Sequence, residues 1–300
     1  MKHFLSISDI TYNDVQNLLH MAMALKFNKI LYPILKEHAL VNLFYENSTR
    51  TRMSFELAAK RLSIPVMNFN CATSSEAKGE IILDTVKNLA AMGINLMAIR
   101  HQENGLPQKL AAECDILNLH IINAGDGQHA HPSQALLDLM TILEYKTNLK
   151  QLKVVLIGDL RHSRVANSLQ CLFKLVNVGE LYLVSPESWR PRVIHYGIWM
   201  ESLDDGLQDV DVIITLRVQK ERFNKNEELN LVDYCNNYSV TPKKLKLARN
   251  DAIVMHPGPL NRGVEITDAV ADGSQSVILQ QVQNGVYMRM AIIHALLKSQ

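Results

Sequence analysis

The run Phe44-Tyr45-Glu46-Asn47-Ser48-Thr49-Arg50-Thr51-Arg52 sets hydroxyl and guanidinium groups where an apolar strand gives way to a helix. Upstream, residues 39 to 45 read as a buried strand, and downstream Met53, Leu57, Ala58 and Leu62 recur at helical spacing. Ser48 or Thr49 can cap that helix, whose first N–H groups have no partner inside it and favour an anion in front of them. Arg50 and Arg52 add planar forks suited to tetrahedral oxyanions, in charge-assisted bonds about twice as strong as neutral ones. The competing reading is an ordinary helix cap with two solvated arginines. A Walker loop is excluded, because the run has no glycine and no Gly-Lys-Ser/Thr ending.

Ligands of open α/β sheets gather beyond the carboxyl ends of the strands, so each strand end carries information. Strand 95 to 99 ends in Arg100, and strand 119 to 123 leads into a turn-rich loop that presents His131 and Gln134 one helical turn apart. Later strands are followed by Gly158-Asp159-Leu160-Arg161-His162-Ser163-Arg164, by Arg217-Val218-Gln219 and by His256-Pro257-Gly258-Pro259. Singly, each has a plain explanation: His256 can be structural, and Gly158-Asp159 can be a turn. No Gly-x-Gly-x-x-Gly fingerprint supports a nicotinamide cofactor. Together, polar and charged residues at five strand ends are harder to explain as separate turns. The segment from Cys71 to Glu80 reads by itself as a polar surface turn.

The elements that must position these residues alternate between strand and helix. Helices are expected from Thr11 to about Leu25, 51 to 62, 80 to 92, 106 to 113, Pro132 to Tyr145 and about 163 to 176. Between them lie strands at 39 to 45, 66 to 69, 95 to 100 and 119 to 123, then 153 to 158, 181 to 184, 210 to 215 and 252 to 255. Their continuous apolarity predicts parallel sheets covered on both faces. The fold class is α/β, with two doubly wound parallel-sheet domains and the active site in the cleft between them. Residues 275 to 298 are strongly helical, with a bend or break expected at Asn284-Gly285. No proline-rich linker separates the halves, so helices are expected to join them.

Composition narrows the partners. With 300 residues, 47% hydrophobic and 20% charged, the chain has material for two cores, and its net charge of +1 supports neither nucleic acid nor a membrane surface as partner. Cys71, Cys114, Cys171 and Cys235 are widely spaced with no Cys-x-x-Cys pair, which indicates neither a zinc site nor a redox motif and leaves four reduced thiols as the expectation. The first residues lack the apolar stretch of a signal peptide, so the expected location is cytoplasmic.

The Ser48-Thr49-Arg50-Thr51-Arg52 run resembles the signature of the aspartate and ornithine carbamoyltransferase family. The resemblance extends in order through Gly158 to Arg164, Arg217 to Arg222 and His256 to Ile266, nearly the whole chain. It implies a carbamoyl-phosphate-binding domain over 1–131 with a returning helix 285–300, and an aspartate-binding domain over 132–284. It implies that Ser48, Thr49, Arg50 and Thr51 hold the phosphate, that Arg100, His131 and Gln134 hold the carbamoyl end, and that Arg164, Arg217 and Gln219 bind carboxylates of L-aspartate. Gly258 and Pro259 would offer backbone carbonyls. Ornithine enzymes typically carry His-Cys-Leu-Pro and Ser-Met-Gly where this chain has His256-Pro257-Gly258-Pro259 and Leu216-Arg217-Val218-Gln219; an arginine suits a dicarboxylate and repels ornithine.

By the same resemblance, Ser74 and Lys78 reach the active site of a neighbouring subunit, making the unit a homotrimer with shared sites. Such a trimer can stand alone, join regulatory chains or complex with dihydroorotase. Glu46 is expected to pair with Arg164 or Arg222 when the domains close. No metal or cofactor is implied. The alternatives are a carbamoyltransferase for another acceptor such as ornithine, and a non-catalytic anion-binding or scaffolding homologue.

Overall fold

The computed structural model describes residues 1–70, Ser74, 78–219 and 231–298. The chain divides into two compact units, Met1–Met140 with Gln283–Gln300, and Thr141–Val282.

The first unit runs α1 (Tyr12–Lys26), β1 (Leu40–Phe44), α2 (Thr49–Arg61), β2 (Val66–Phe69), α3 (Ile82–Ala91), β3 (Leu96–His101), α4 (Leu106–Glu113), β4 (His120–Asp126) and the start of α5 (Pro132–Tyr145). α1 begins where Thr11 and Asp14 form a reciprocal capping box, with the Thr11 N–H donating to Asp14 Oδ2 at 2.8 Å. The sheet is parallel, in the order β2-β1-β3-β4. β4 is buried along its whole length, and β1 and β3 are buried except near their carboxyl ends. Covering both faces of the sheet accounts for the unbroken apolar runs. β4 extends three residues past its expected end, through Ala124 and Gly125 to Asp126.

The second unit runs β5 (Lys153–Gly158), α6 (Arg164–Leu175), β6 (Glu180–Val184), β7 (Ile198–Met200), α7 (Leu203–Leu207), β8 (Val212–Leu216), α8 (Leu231–Tyr238), α9 (Pro242–Leu245), β9 (Ile253–Met255), α10 (Asp268–Ala271) and α11 (Ile278–Leu297), whose last part belongs to the first unit. Its parallel sheet has the order β7-β6-β5-β8-β9. β7 was not expected from sequence. It has three residues, none of them buried, and its identity as a strand comes from pairing with β6.

One expectation is overturned: α11 runs unbroken through Asn284-Gly285. Both residues serve packing rather than a bend. Asn284 is buried and accepts from Lys26 Nζ at 2.8 Å, and Gly285 leaves room for the side chain of Arg289, one turn along. The chain passes between units inside α5 and again inside α11.

Strand order fixes where a ligand can gather. In the first sheet the connections leave β1 to one side for β2 and to the other for β3; in the second they leave β5 for β6 and for β8. The crevices at the carboxyl ends of β1/β3 and of β5/β8 are therefore the switch points.

Candidate active site

The β1 switch-point strand feeds the turn Tyr45–Ser48 and then α2. Ser48 holds the N-cap position in extended conformation but makes no side-chain cap hydrogen bond, contrary to the expectation that a hydroxyl here would cap the helix. The hydroxyls of Thr11, Ser163, Ser202 and Thr241, by contrast, all accept from their own helices. No acidic residue lies in the first turn of α2. The first turn thus carries neither a side-chain cap from Ser48 nor a carboxylate of its own, an arrangement that suits an anion in front of the helix. Thr51 is buried, and Arg50 and Arg52 are exposed.

Arg100 lies beside this turn because Phe44 pairs with Arg100 across the sheet and the Tyr45 N–H donates to its carbonyl at 2.9 Å. The pairing of β3 with β4 shifts register between Ile99 and His101, an irregularity of the kind that re-aims a side chain. The guanidinium donates to the Ala124 carbonyl at 3.3 Å and lies 3.3 Å from Glu46 Oε2. Glu46 is thus engaged within its own unit in this structure, and Arg222 lies outside the described residues.

His131 immediately precedes α5 and Gln134 lies in its first turn; both are buried. The loop that delivers them is built on Asp126, a fully buried carboxylate. Asp126 accepts from the Gly105 N–H at 2.7 Å, the Ala130 N–H at 3.0 Å, Asn123 Nδ2 at 2.8 Å and His129 Nδ1 at 2.8 Å. Gly127 has a positive φ, and a Cβ there would collide with Asn104, whose Oδ1 accepts from the Gln128 N–H.

Burial alone would push the Asp126 carboxyl up, but hydrogen bonds from His129, Asn123 and Gly105 together outweigh it and hold its pKa below the ordinary value. The bond to Asp126 in turn raises the pKa of His129 above 6.5. A raised histidine stabilises fully below its unfolded pKa and loses that contribution as pH rises through the folded value. A depressed carboxylate contributes above its unfolded pKa and loses it as pH falls through the folded value. The brace is therefore strongest at mildly acidic pH. NMR titration of His129 should give a pKa above 6.5 that falls on Asp126→Asn; an unchanged value would show that the pair carries no charge coupling.

At the second switch point Gly158 ends β5 with a positive φ, and a Cβ there would collide with the Leu216 carbonyl of β8. Asp159, fully buried, accepts from the His162 N–H at 3.2 Å, His162 Nδ1 at 2.9 Å and the Gln219 N–H at 3.4 Å, while Gln219 Nε2 donates to the His162 carbonyl at 3.0 Å. These bonds tie the loop before α6 to the loop after β8. Arg164 opens α6 behind the Ser163 cap and is buried; Arg217 and Gln219 are half-buried.

The segment after β9 joins the same cluster. His256 Nδ1 accepts from the Gly258 N–H at 2.7 Å, so the ring proton sits on Nε2 and is donated to Glu265 Oε1 at 3.0 Å. Glu265 Oε1 also accepts from the Asn261 N–H at 2.6 Å, and Asn261 Nδ2 donates to the Val218 carbonyl at 3.1 Å. His256, buried with both nitrogens used, is a brace. It shapes the turn that holds half-buried Gly258 and exposed Pro259, joined by a cis peptide bond.

The structure thus places Ser48–Arg52, Arg100, His131 and Gln134 at or after the carboxyl ends of β1, β3 and β4 in the first unit. It brings Arg164, Arg217, Gln219 and the 256–259 turn to one crevice of the second. Ser74 is half-buried and Lys78 exposed, in a segment whose residues 71–73 and 75–77 lie outside the described set. Among the described residues no group of three or more His, Cys, Asp and Glu side chains could hold a metal ion. Asp126, Asp159 and Glu265 were not identified from sequence as parts of the site.

Two family models match the chain: the carbamoyl-P binding domain of aspartate/ornithine carbamoyltransferases over residues 2–144, and the Asp/Orn binding domain over residues 150–296. The aspartate carbamoyltransferase catalytic subunit of Legionella pneumophila (strain Corby) is 54% identical over 299 residues, covering 100% of both chains. The chain belongs to the aspartate/ornithine carbamoyltransferase family. Among solved structures, aspartate transcarbamoylase from Trypanosoma cruzi in complex with carbamoyl aspartate and phosphate superposes with a TM-score of 0.88 at 29% identity, covering 97% of this chain and 94% of that one. Ornithine carbamoyltransferase from Thermus thermophilus superposes with a TM-score of 0.87 at 25% identity, covering 99% of each. The two scores are nearly equal, so backbone likeness alone does not distinguish the two kinds of relative.

Proposed function

We propose that the chain transfers the carbamoyl group of carbamoyl phosphate to the α-amine of L-aspartate, giving N-carbamoyl-L-aspartate and phosphate, a step of pyrimidine biosynthesis. The observation that carries this reading is the placement of phosphate-type residues at the switch point of one sheet and arginines suited to a dicarboxylate at the switch point of the other. The full-length 54% identity to an aspartate carbamoyltransferase catalytic subunit supports the same acceptor.

The amine lone pair attacks the carbonyl carbon, a tetrahedral intermediate forms, and the bond from carbon to the phosphate oxygen breaks. The amine proton leaves with the phosphate, so no protein base is assigned. Ser48, Thr49, Arg50 and Thr51 hold the phosphate; Arg100 and His131 polarise the carbonyl and stabilise the developing oxyanion; Gln134 meets the carbamoyl nitrogen. Arg164, Arg217 and Gln219 take the aspartate carboxylates, with Gly258 and Pro259 offering carbonyls. Holding two anions side by side needs concentrated positive charge, and these arginines supply it locally in a chain whose net charge is only +1.

The active unit is a homotrimer in which Ser74 and Lys78 serve a neighbour's site, and it works in the cytoplasm. Free thiols at Cys114, Cys171 and Cys235 suit a reducing compartment. Phosphate release from carbamoyl phosphate by the purified protein, run at the native mass of three chains, should require L-aspartate and be blocked by succinate, an unreactive dicarboxylate. L-Ornithine should neither support nor block it. Release with ornithine, or full activity at the mass of one chain, would overturn the corresponding part.

A further inference from the structure

Behind Gln134 lie two buried charged residues that the reaction as described does not use. Asp138, one turn further along α5, is fully buried, and its Oδ1 accepts from Gln134 Nε2 at 2.9 Å. Arg289 of α11 is also buried. Its guanidinium centre is 5.0 Å from the centroid of the Phe55 ring on α2, Nη1 donates to the Gly285 carbonyl at 3.1 Å, and Nη2 donates to Ser133 Oγ at 3.5 Å. Gly285 makes this possible, since a Cβ there would lie 2.6 Å from Nη1. Burial pulls the Arg289 pKa down to about 10, while the charge of Asp138 opposes the fall and favours the cation. Arg289 thus touches α2, which begins at the phosphate turn, and α5, which begins at His131 and Gln134.

An ionised carboxylate can only accept hydrogen bonds, whereas an amide presents a donor on one side and an acceptor on the other. With its NH2 committed to Asp138, Gln134 has its oxygen left for whatever lies in front. We propose that Asp138 is a positioning residue that sets the Gln134 amide with Oε1 toward the ligand, so that the site selects the NH2 of a carbamoyl group over the CH3 of an acetyl group. This rests on the carbamoyl-transfer reading above. Acetyl phosphate has the same phosphate and carbonyl but nothing to donate to Oε1, so it measures the selection directly.

The test compares the full-length protein with Asp138→Asn, Gln134→Ala, the double variant and Arg289→Lys. Readouts are kcat/KM for carbamoyl phosphate, inhibition by acetyl phosphate and binding of inorganic phosphate. An asparagine at 138 can either accept from Gln134 or donate to it, so the orientation preference is lost. Asp138→Asn should lower kcat/KM by about tenfold or more, as expected for a reacting group left out of position. Affinities for acetyl phosphate and inorganic phosphate should stay within about twofold, because neither ligand uses Oε1.

In the Gln134→Ala background, Asp138→Asn should cost less than about twofold more, since the residue it positions is gone. Arg289→Lys, which keeps the charge but cannot make both hydrogen bonds, should show the same pattern more weakly, and it carries the test if Asp138→Asn does not fold. Equal losses for carbamoyl and acetyl phosphate, or an undiminished penalty in the Gln134→Ala background, would assign the pair a merely structural role and overturn the inference. A wild-type protein without aspartate-dependent phosphate release would instead overturn the reading on which it rests.

Discussion

Arg50→Ala should lower kcat/KM for carbamoyl phosphate by a factor on the order of a thousand, comparable to removing a preorganised donor from a developing oxyanion. Thermal stability should change little, because Arg50 is exposed and belongs to no buried core. The contrast with a capping role is quantitative. If the turn only finished α2, losing Arg50 would cost no more than about 1 kcal/mol of stability and leave turnover intact. The local geometry gives a capping role no support: Ser48 sits at the N-cap position without using its hydroxyl as a cap, and α2 has no acidic residue in its first turn. A thermal melt beside initial-rate kinetics decides the matter. Arg50→Ala protein with near-normal kcat/KM would remove the phosphate site from Ser48–Arg52.

Arg217→Ala should raise KM for L-aspartate by about a hundredfold, the loss expected from a charge-assisted bond to a carboxylate in a partly desolvated site. Binding of inorganic phosphate should stay within a few-fold, because Arg217 follows β8 in the second unit and the phosphate turn precedes α2 in the first. The loop that carries Arg217 is held independently of its guanidinium, through the Gln219 N–H on Asp159 and the Val218 carbonyl on Asn261. Truncation at 217 should therefore remove a contact without collapsing the loop. Equal damage to phosphate and aspartate handling would mean that Arg217 supports the fold and does not read the acceptor.

How much of this could be read beforehand depended on the range of the interaction. α1 was visible because Thr11 and Asp14 are three residues apart, and α5 because Pro132 opens a helix carrying Leu136, Leu137, Leu139 and Met140. Strand ends could be read because polar residues break an apolar run there. The braces behind the site were not, since their partners lie far apart in sequence: Asp126 meets Gly105, Asp159 meets Gln219, and Asn261 meets Val218. One short-range signal was present. Gly125-Asp126-Gly127-Gln128-His129 and Gly158-Asp159-Leu160-Arg161-His162 repeat a Gly-Asp-x-x-His pattern at the ends of β4 and β5, and in each the histidine Nδ1 bonds the aspartate three residues earlier.

The expected break at Asn284-Gly285 misread a packing glycine as a helix breaker. Its reason, the Arg289 side chain over the glycine, exists only in three dimensions. His256 carries a related lesson. Its structural reading was available from the sequence, and both its nitrogens are used inside the loop.

The central claim is that this chain joins a carbamoyl group to aspartate and to no cationic acceptor. Purified protein given carbon-13-labelled carbamoyl phosphate with equal concentrations of L-aspartate and L-ornithine, followed by NMR, tests it most directly. N-carbamoyl-L-aspartate should be the sole labelled enzymatic product; citrulline, or no enzymatic product at all, would contradict the account.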